Sequence, residues 1–181
     1  MAKPSQIILV VEDKRQQQLV YRYLRRRHFG PHDVRIATAP SGAGSAEHWV
    51  IEQFPIEVSE YRRRHAVTKL ILVVDADTHS VHDRMQELEH SLKDAGVPRV
   101  EKAEQIAPLI PKRNIETWIL CLNLEQVDED KDYKGQHRKR PEIIPLAAET
   151  LCQWARANAA IPPNCVDSLR RGIAELQRIE C

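Results

Sequence analysis

Short uninterrupted apolar runs alternate along the chain with stretches in which apolar positions recur every three or four residues. Ile7-Ile-Leu-Val-Val11 and Leu70-Ile-Leu-Val-Val74 are β-branched-rich runs without a polar break, the pattern of strands buried on both faces of a parallel sheet. Between them, Leu19, Val20, Tyr23 and Leu24 predict a helix over 14–28, stopped by Gly30-Pro31. A short strand is expected at Val34–Ala37, followed by a loop, Ala39–Ser45. The next helix carries Val50, Phe54, Val58 and Tyr61, and Pro55 is expected to kink or split it. After the second run, Val81, Met85, Leu88 and Leu92 predict an amphipathic helix that ends at Gly96 and Pro98. A weaker strand at 105–110 holds Pro108, which suits an edge position. Asn114 is placed as N-cap of a helix Ile115–Leu122.

Residues 127–140 are acidic and then basic, show no periodicity, and are expected to form a mobile surface loop. Two helices, about 142–158 and 165–179, close the sequence, the second marked by Val166, Leu169, Ile173 and Leu176. The β-α alternation predicts a doubly wound α/β fold, with a mostly parallel central sheet of about four strands and helices on both faces. Residues 1–124 are expected to form this unit, and 125–181 to add a loop and C-terminal helices that pack on it.

Composition narrows the class. No apolar run approaches a membrane span, and no secretory signal is visible at the N-terminus. The four cysteines (Cys121, Cys152, Cys165, Cys181) have no zinc-ribbon spacing. A cytoplasmic protein with reduced thiols is expected. The net charge of +1 conceals three basic clusters: Arg25–Arg27, Arg62–Arg64 and Arg138-Lys139-Arg140. Together they point to a polyanionic partner.

The chemistry is concentrated where the two apolar runs end. The first runs directly into Glu12-Asp13 and the second into Asp75-Ala76-Asp77. In parallel α/β sheets, ligands bind beyond the carboxyl ends of the strands, where strand order reverses. If the two strands are neighbours, several carboxylates converge there, and crowded acids with oxygen-only ligands suit Mg²⁺ or Mn²⁺. Ser80 and Asp83 already supply a capping arrangement for the following helix, which leaves Asp75 and Asp77 free for other work.

On these residues the chain resembles the TOPRIM domain, which places a glutamate after its first strand and Asp-x-Asp after its third. Glu12 matches the glutamate, and Asp75 and Asp77 match the Asp-x-Asp. The resemblance spans about residues 5–122, and the chain departs from it in carrying Asp13 where the family usually has glycine. The segment Leu109–Trp118 looks like the corresponding part of small OLD-like TOPRIM proteins of phage-defence and mobile-element loci. The resemblance implies a Rossmann-like TOPRIM fold and an Mg²⁺-dependent (or Mn²⁺-dependent) nuclease. In that reading Glu12, Asp75, Asp77 and Lys112 are catalytic, and Glu12, Asp75, Asp77 and Glu116 hold metal. Lys112 is suited to stabilise a phosphorane-like transition state. Arg113, Arg138, Lys139 and Arg140 would contact nucleic acid, and a partner ATPase is a further expectation. Trp118 is expected in the core.

Two alternatives compete. Ile8–Asp13 also looks like the opening of a response-regulator receiver, in which Glu12 and Asp13 would hold Mg²⁺, Asp75 would accept a phosphoryl group and Lys112 would pair with it. The long span between Asp13 and Asp75, the extra Asp77, and a proline before Lys112 rather than after it count against that assignment. The third reading is a non-catalytic TOPRIM-like subunit of a larger complex.

Overall fold

Two uninterrupted five-residue runs, Ile7–Val11 (β1) and Lys69–Val73 (β3), lie side by side at the centre of a four-stranded sheet. The computed structural model describes residues 6–42, 44–64, 67–136 and 139–181. Strand order is β2-β1-β3-β4, all parallel, with β2 at Val34–Thr38 and β4 at Ile106–Leu109. The helices are α1 (Lys14–Arg26), α2 (Ala46–Arg63), α3 (Val81–Asp94), α4 (Ile115–Leu122), α5 (Ile143–Trp154) and α6 (Asp167–Arg178). The architecture is the Rossmann-like α/β sandwich expected from the sequence.

Period-two alternation assigns each strand residue to one of two cores. Ile7, Leu9, Val11, Ile71 and Val73 face α1, α4, α5 and α6, whereas Ile8, Val10, Leu70, Leu72 and Val74 face α2 and α3. Both faces are covered, which is why the strands read as continuous apolar runs. The C-terminal helices belong to the first core: α5 lies on α1 and α4, and α6 lies on β4. Trp118 is buried there, donating to Ser168 Oγ at 2.9 Å. Its ring lies so near Gly172 that an added Cβ would stand 2.4 Å from it.

Several local expectations need correction. Pro55 does not split α2, which runs through it for 18 residues. Proline removes only one helical bond, and the buried stripe Val50, Phe54 and Val58 holds both halves on the sheet. Asn114 occupies the N-cap position of α4, but its side chain makes no cap and donates instead to Asp132 Oδ1 at 2.9 Å. Residues 127–136 form no helix or strand, as expected, yet they are tied down. Val127 and Tyr133 pack on the core, Tyr133 Oη accepts from Asp128 N at 3.0 Å, and Glu129 Oε2 accepts from Ser168 Oγ at 2.9 Å.

β4 is the edge strand that Pro108 predicted. Leu70 N donates to Gln105 O and Val74 N to Leu109 O, so the odd-numbered residues of β4 turn toward β3 and Ile106 and Pro108 turn outward. The Ile106 carbonyl accepts from Arg178 Nη2 at 2.5 Å.

Candidate functional site

β1 and β3 end in register, with Val11 opposite Val73, so the residues that follow them emerge beside each other. Glu12 bridges the two ends: its Oε1 accepts from the Asp75 backbone N–H at 3.0 Å. Alternation turns Asp75 to the same side as Ile71 and Val73, toward α1, and there Gln16 joins the two acids. Gln16 Nε2 donates to Asp75 Oδ1 at 3.0 Å and Glu12 Oε2 at 3.3 Å, while its Oε1 accepts from Glu12 N at 2.9 Å. Asp13 makes this possible by capping α1, accepting from Arg15 N at 2.8 Å and Gln16 N at 3.0 Å.

Ala76, one residue on, turns to the opposite face and brings Arg84 into play. Arg84 is only 2% exposed. Its Nε donates to Asp75 O at 3.0 Å and its Nη2 to Ala76 O at 3.4 Å, and Glu47 and Glu87 neutralise it from α2 and α3. A buried arginine thus fixes the backbone from which Asp75 projects.

The electrostatics of the pair are strained. Asp75 is 5% exposed. Burial, then the neighbouring Glu12 and Asp13 charges, push its carboxyl well above the usual range, opposed by the Gln16 hydrogen bond. Burial also pushes Glu12 up to about 7, against the Asp75 N–H bond that favours its charged form. Glu116, buried at the start of α4, forms an ion pair with Arg15 of α1.

Asp77 stands elsewhere. It adopts a left-handed conformation (φ 57°), which aspartate tolerates better than most residues. The β3–β4 pairing continues past the strands, with Ala76 N donating to Pro111 O at 2.8 Å. Asp77 therefore meets Lys112 and Arg113 across a separate cavity of about 460 Å³, also lined by Ser80, Glu129 and Asp130. Arg113 Nη1 donates to Asp77 O at 3.3 Å, and Lys112 forms an ion pair with Asp130. That pairing raises the Lys112 ammonium above its usual range.

Of the four expected carboxylates, Glu12 and Asp75 share hydrogen bonds, Glu116 lies near enough for its charge to push the Asp75 carboxyl up, and Asp77 lines the neighbouring cavity. Among the described residues no three His, Cys, Asp or Glu side chains come together as a metal group. Two close carboxylates whose buried charges repel each other still fit Mg²⁺, which is commonly held by one or two carboxylates and keeps several waters. Glu116 is committed to Arg15, and Asp77 lies on the neighbouring cavity. Sequence reasoning missed Gln16 and Arg84. A glutamine on the buried side of α1, three residues after an acidic cap, was the available signal for the first.

The basic clusters divide by position. α1 and α2 run antiparallel to the strands, so Arg25–Arg27 and Arg62–Arg64, at or beyond their C-termini, lie at the amino end of the sheet, away from Glu12 and Asp75. Arg62 is engaged there by Glu104, at 2.7 and 2.8 Å. Lys139 is exposed, Arg140 pairs with Glu125 beyond the end of α4, and Arg138 lies outside the described residues. No helix among the described residues is long and apolar enough to cross a membrane. Compared with known proteins, the chain matches no family model, no curated protein and no solved structure.

Proposed function

We propose that this chain is an Mg²⁺-dependent phosphodiesterase of TOPRIM type acting on nucleic acid, with Glu12 and Asp75 as metal ligands. The observation that carries the reading is the juxtaposition of a buried carboxylate, Asp75, with a half-buried one, Glu12, mutually repelling at the ends of adjacent parallel strands. Such an arrangement destabilises the free protein and is relieved by a cation. Mg²⁺, when bound, supplies Lewis-acid activation of water and of the phosphoryl oxygens. The remaining work falls to this chain's residues. Gln16 orients both carboxylates, Arg84 fixes the backbone that presents Asp75, and Lys112 and Arg113 line the neighbouring cavity as cations able to hold a phosphodiester.

The receiver alternative fares worse on three observations. The side chain of Asp75 is buried and shared with Gln16, which leaves it poorly placed as a phosphoacceptor. Lys112 pairs with Asp130, and Asp13 serves as a helix cap.

Cleavage of plasmid, single-stranded DNA and RNA with Mg²⁺ or Mn²⁺ tests the proposal. Asp75→Asn and Glu12→Gln are expected to lose at least about a hundredfold in rate, as when a transition-state contact worth roughly 3 kcal/mol is removed. Asp77→Asn is expected to lose less. Full activity of both Asp75→Asn and Glu12→Gln, or a stoichiometric phosphoaspartate at Asp75 after treatment with a small phosphodonor, would overturn it.

A further inference from the structure

Four of the five residues 128–132 are acidic (Asp128, Glu129, Asp130, Asp132), and Glu129 and Asp130 line one cavity with Lys112 and Arg113. Asp130 pairs with Lys112. Asp132 Oδ1 accepts from Asn114 Nδ2 at 2.9 Å and from Lys134 N at 2.8 Å. Arg113 contributes to holding the Asp132 carboxyl below its usual range, after the Lys134 backbone N–H and the Lys134 charge. Lys112, Arg113 and Asn114 immediately precede α4, whose N-terminal N–H groups also favour negative charge.

Two features distinguish this from an incidental surface pairing. The segment is anchored independently of its cation contacts: Val127 and Tyr133 pack on the core, and Glu129 is held by Ser168 of α6. The cation contacts themselves are incomplete and open to water. Asp130 is 70% exposed and Lys112 32%, whereas Arg113 Nε is buried with no hydrogen-bond partner. A buried guanidinium donor left unmatched beside Lys112 signals a corner that its present occupant satisfies only in part.

We propose that residues 128–132 are a built-in competitor, an acidic strap that occupies the Lys112–Arg113 corner and that a phosphodiester backbone displaces when it docks there. The inference rests on the nucleic-acid reading above and adds to it an occupant for the substrate-holding cations. Exposed ion pairs are weak in water and screened by salt, so a polyanion offering several phosphates can replace Asp130 while the anchors at Glu129 and Tyr133 hold the strap nearby.

Binding of a fluorescently labelled oligothymidylate, measured by anisotropy across a salt series with EDTA present, tests this without requiring catalysis. Asp130→Asn with Asp132→Asn is expected to tighten binding about fivefold. The plot of log K against log salt should steepen by roughly 0.7, the increment for one more neutralised phosphate on a single strand. Lys112→Ala in that background should remove both gains. Glu89→Gln with Asp94→Asn, the same change in charge on α3, should give neither. An equal gain from the α3 variant, or a gain that survives Lys112→Ala, would overturn the strap as a local competitor. Binding that depends on Lys112 but is indifferent to Asp130 and Asp132 would overturn the competition and leave the nucleic-acid reading standing. Indifference to Lys112 and Arg113 in every background would overturn both.

Discussion

The two ends of the sheet use the same residue types to opposite effect. At the amino end, opposite charges meet and staple the structure. Arg62 grips Glu104 and the carbonyls of Pro98 and Arg99, and Arg178 reaches the carbonyls of Lys102, Glu104 and Ile106. At the carboxyl end, half-buried Glu12 and buried Asp75 stand together and share one glutamine amide. Burial with matched partners is ordinary architecture, while burial of like charges persists only where the rest of the fold holds it in place. The contrast separates scaffold from candidate site.

The most damaging way to disturb this contrast is to remove the cation that supports the strained end. Arg84→Met should destabilise the protein by about 3 kcal/mol, since it strands two carbonyls and two carboxylates around a buried position. Urea unfolding measures this, and a loss below about 1 kcal/mol would mean that Arg84 does not hold the Asp75 turn.

The second test exploits the opposite pH responses of the two ends. Glu12 is raised from 4.5 to about 7 by burial. Its contribution is therefore complete below about 4.5 and is lost as pH rises to about 7, on the order of 2–3 kcal/mol in metal-free protein. Glu104 is lowered, chiefly by its hydrogen bond from Arg62. Its contribution is present above its ordinary range and is lost on acidification. Metal-free stability followed across pH should show Glu12→Gln reducing the decline toward neutrality, with the remainder carried by buried Asp75, and Glu104→Gln abolishing part of the acid decline. Interchanged effects would refute the contrast.

Mg²⁺ should act at one end only. At a concentration near a hundred times its dissociation constant, a ligand that binds only the folded state adds about 2.7 kcal/mol. Thermal unfolding at pH 8 should shift upward with Mg²⁺ in the wild type, much less in Asp75→Asn, and fully in Arg62→Ala. The smallest expected effect belongs to Arg25, Arg26 and Arg27. Their joint replacement by alanine should alter stability by no more than about 1 kcal/mol, as for exposed or partly exposed surface positions, and should leave the Mg²⁺ shift unchanged.

The frame of this molecule was legible because burial on both faces writes itself into the sequence as unbroken apolar runs. β1, β3 and α4 fall where Ile7–Val11, Leu70–Val74 and Ile115–Leu122 placed them, give or take a residue. Glu12 and Asp75 were legible for the same reason, as acids that terminate such runs. What the sequence concealed was the action of long polar side chains. Gln16 and Arg84 interrupt no pattern, and their partners lie on other elements, so only tertiary packing brings them to the pair. The divergence of Asp75 and Asp77 was hidden too, because the left-handed turn at Asp77 undoes the shared orientation that their spacing suggests. The acids of 128–132 read as a solvated run because a pairing with Lys112 some 18 residues earlier has no local signature.

The outer margin of β4 has a consequence for how copies of this chain meet. An edge strand normally offers a free row of donors and acceptors on which another chain can crystallise a further strand. Here Pro108 has no N–H to give, and the outward carbonyl of Ile106 is already occupied by Arg178. The margin is too short and too depleted to template growth. Any self-assembly through strand addition is thereby steered to the β2 side, and concentrated protein is protected on this flank from amyloid-like stacking by one imino acid and one guanidinium.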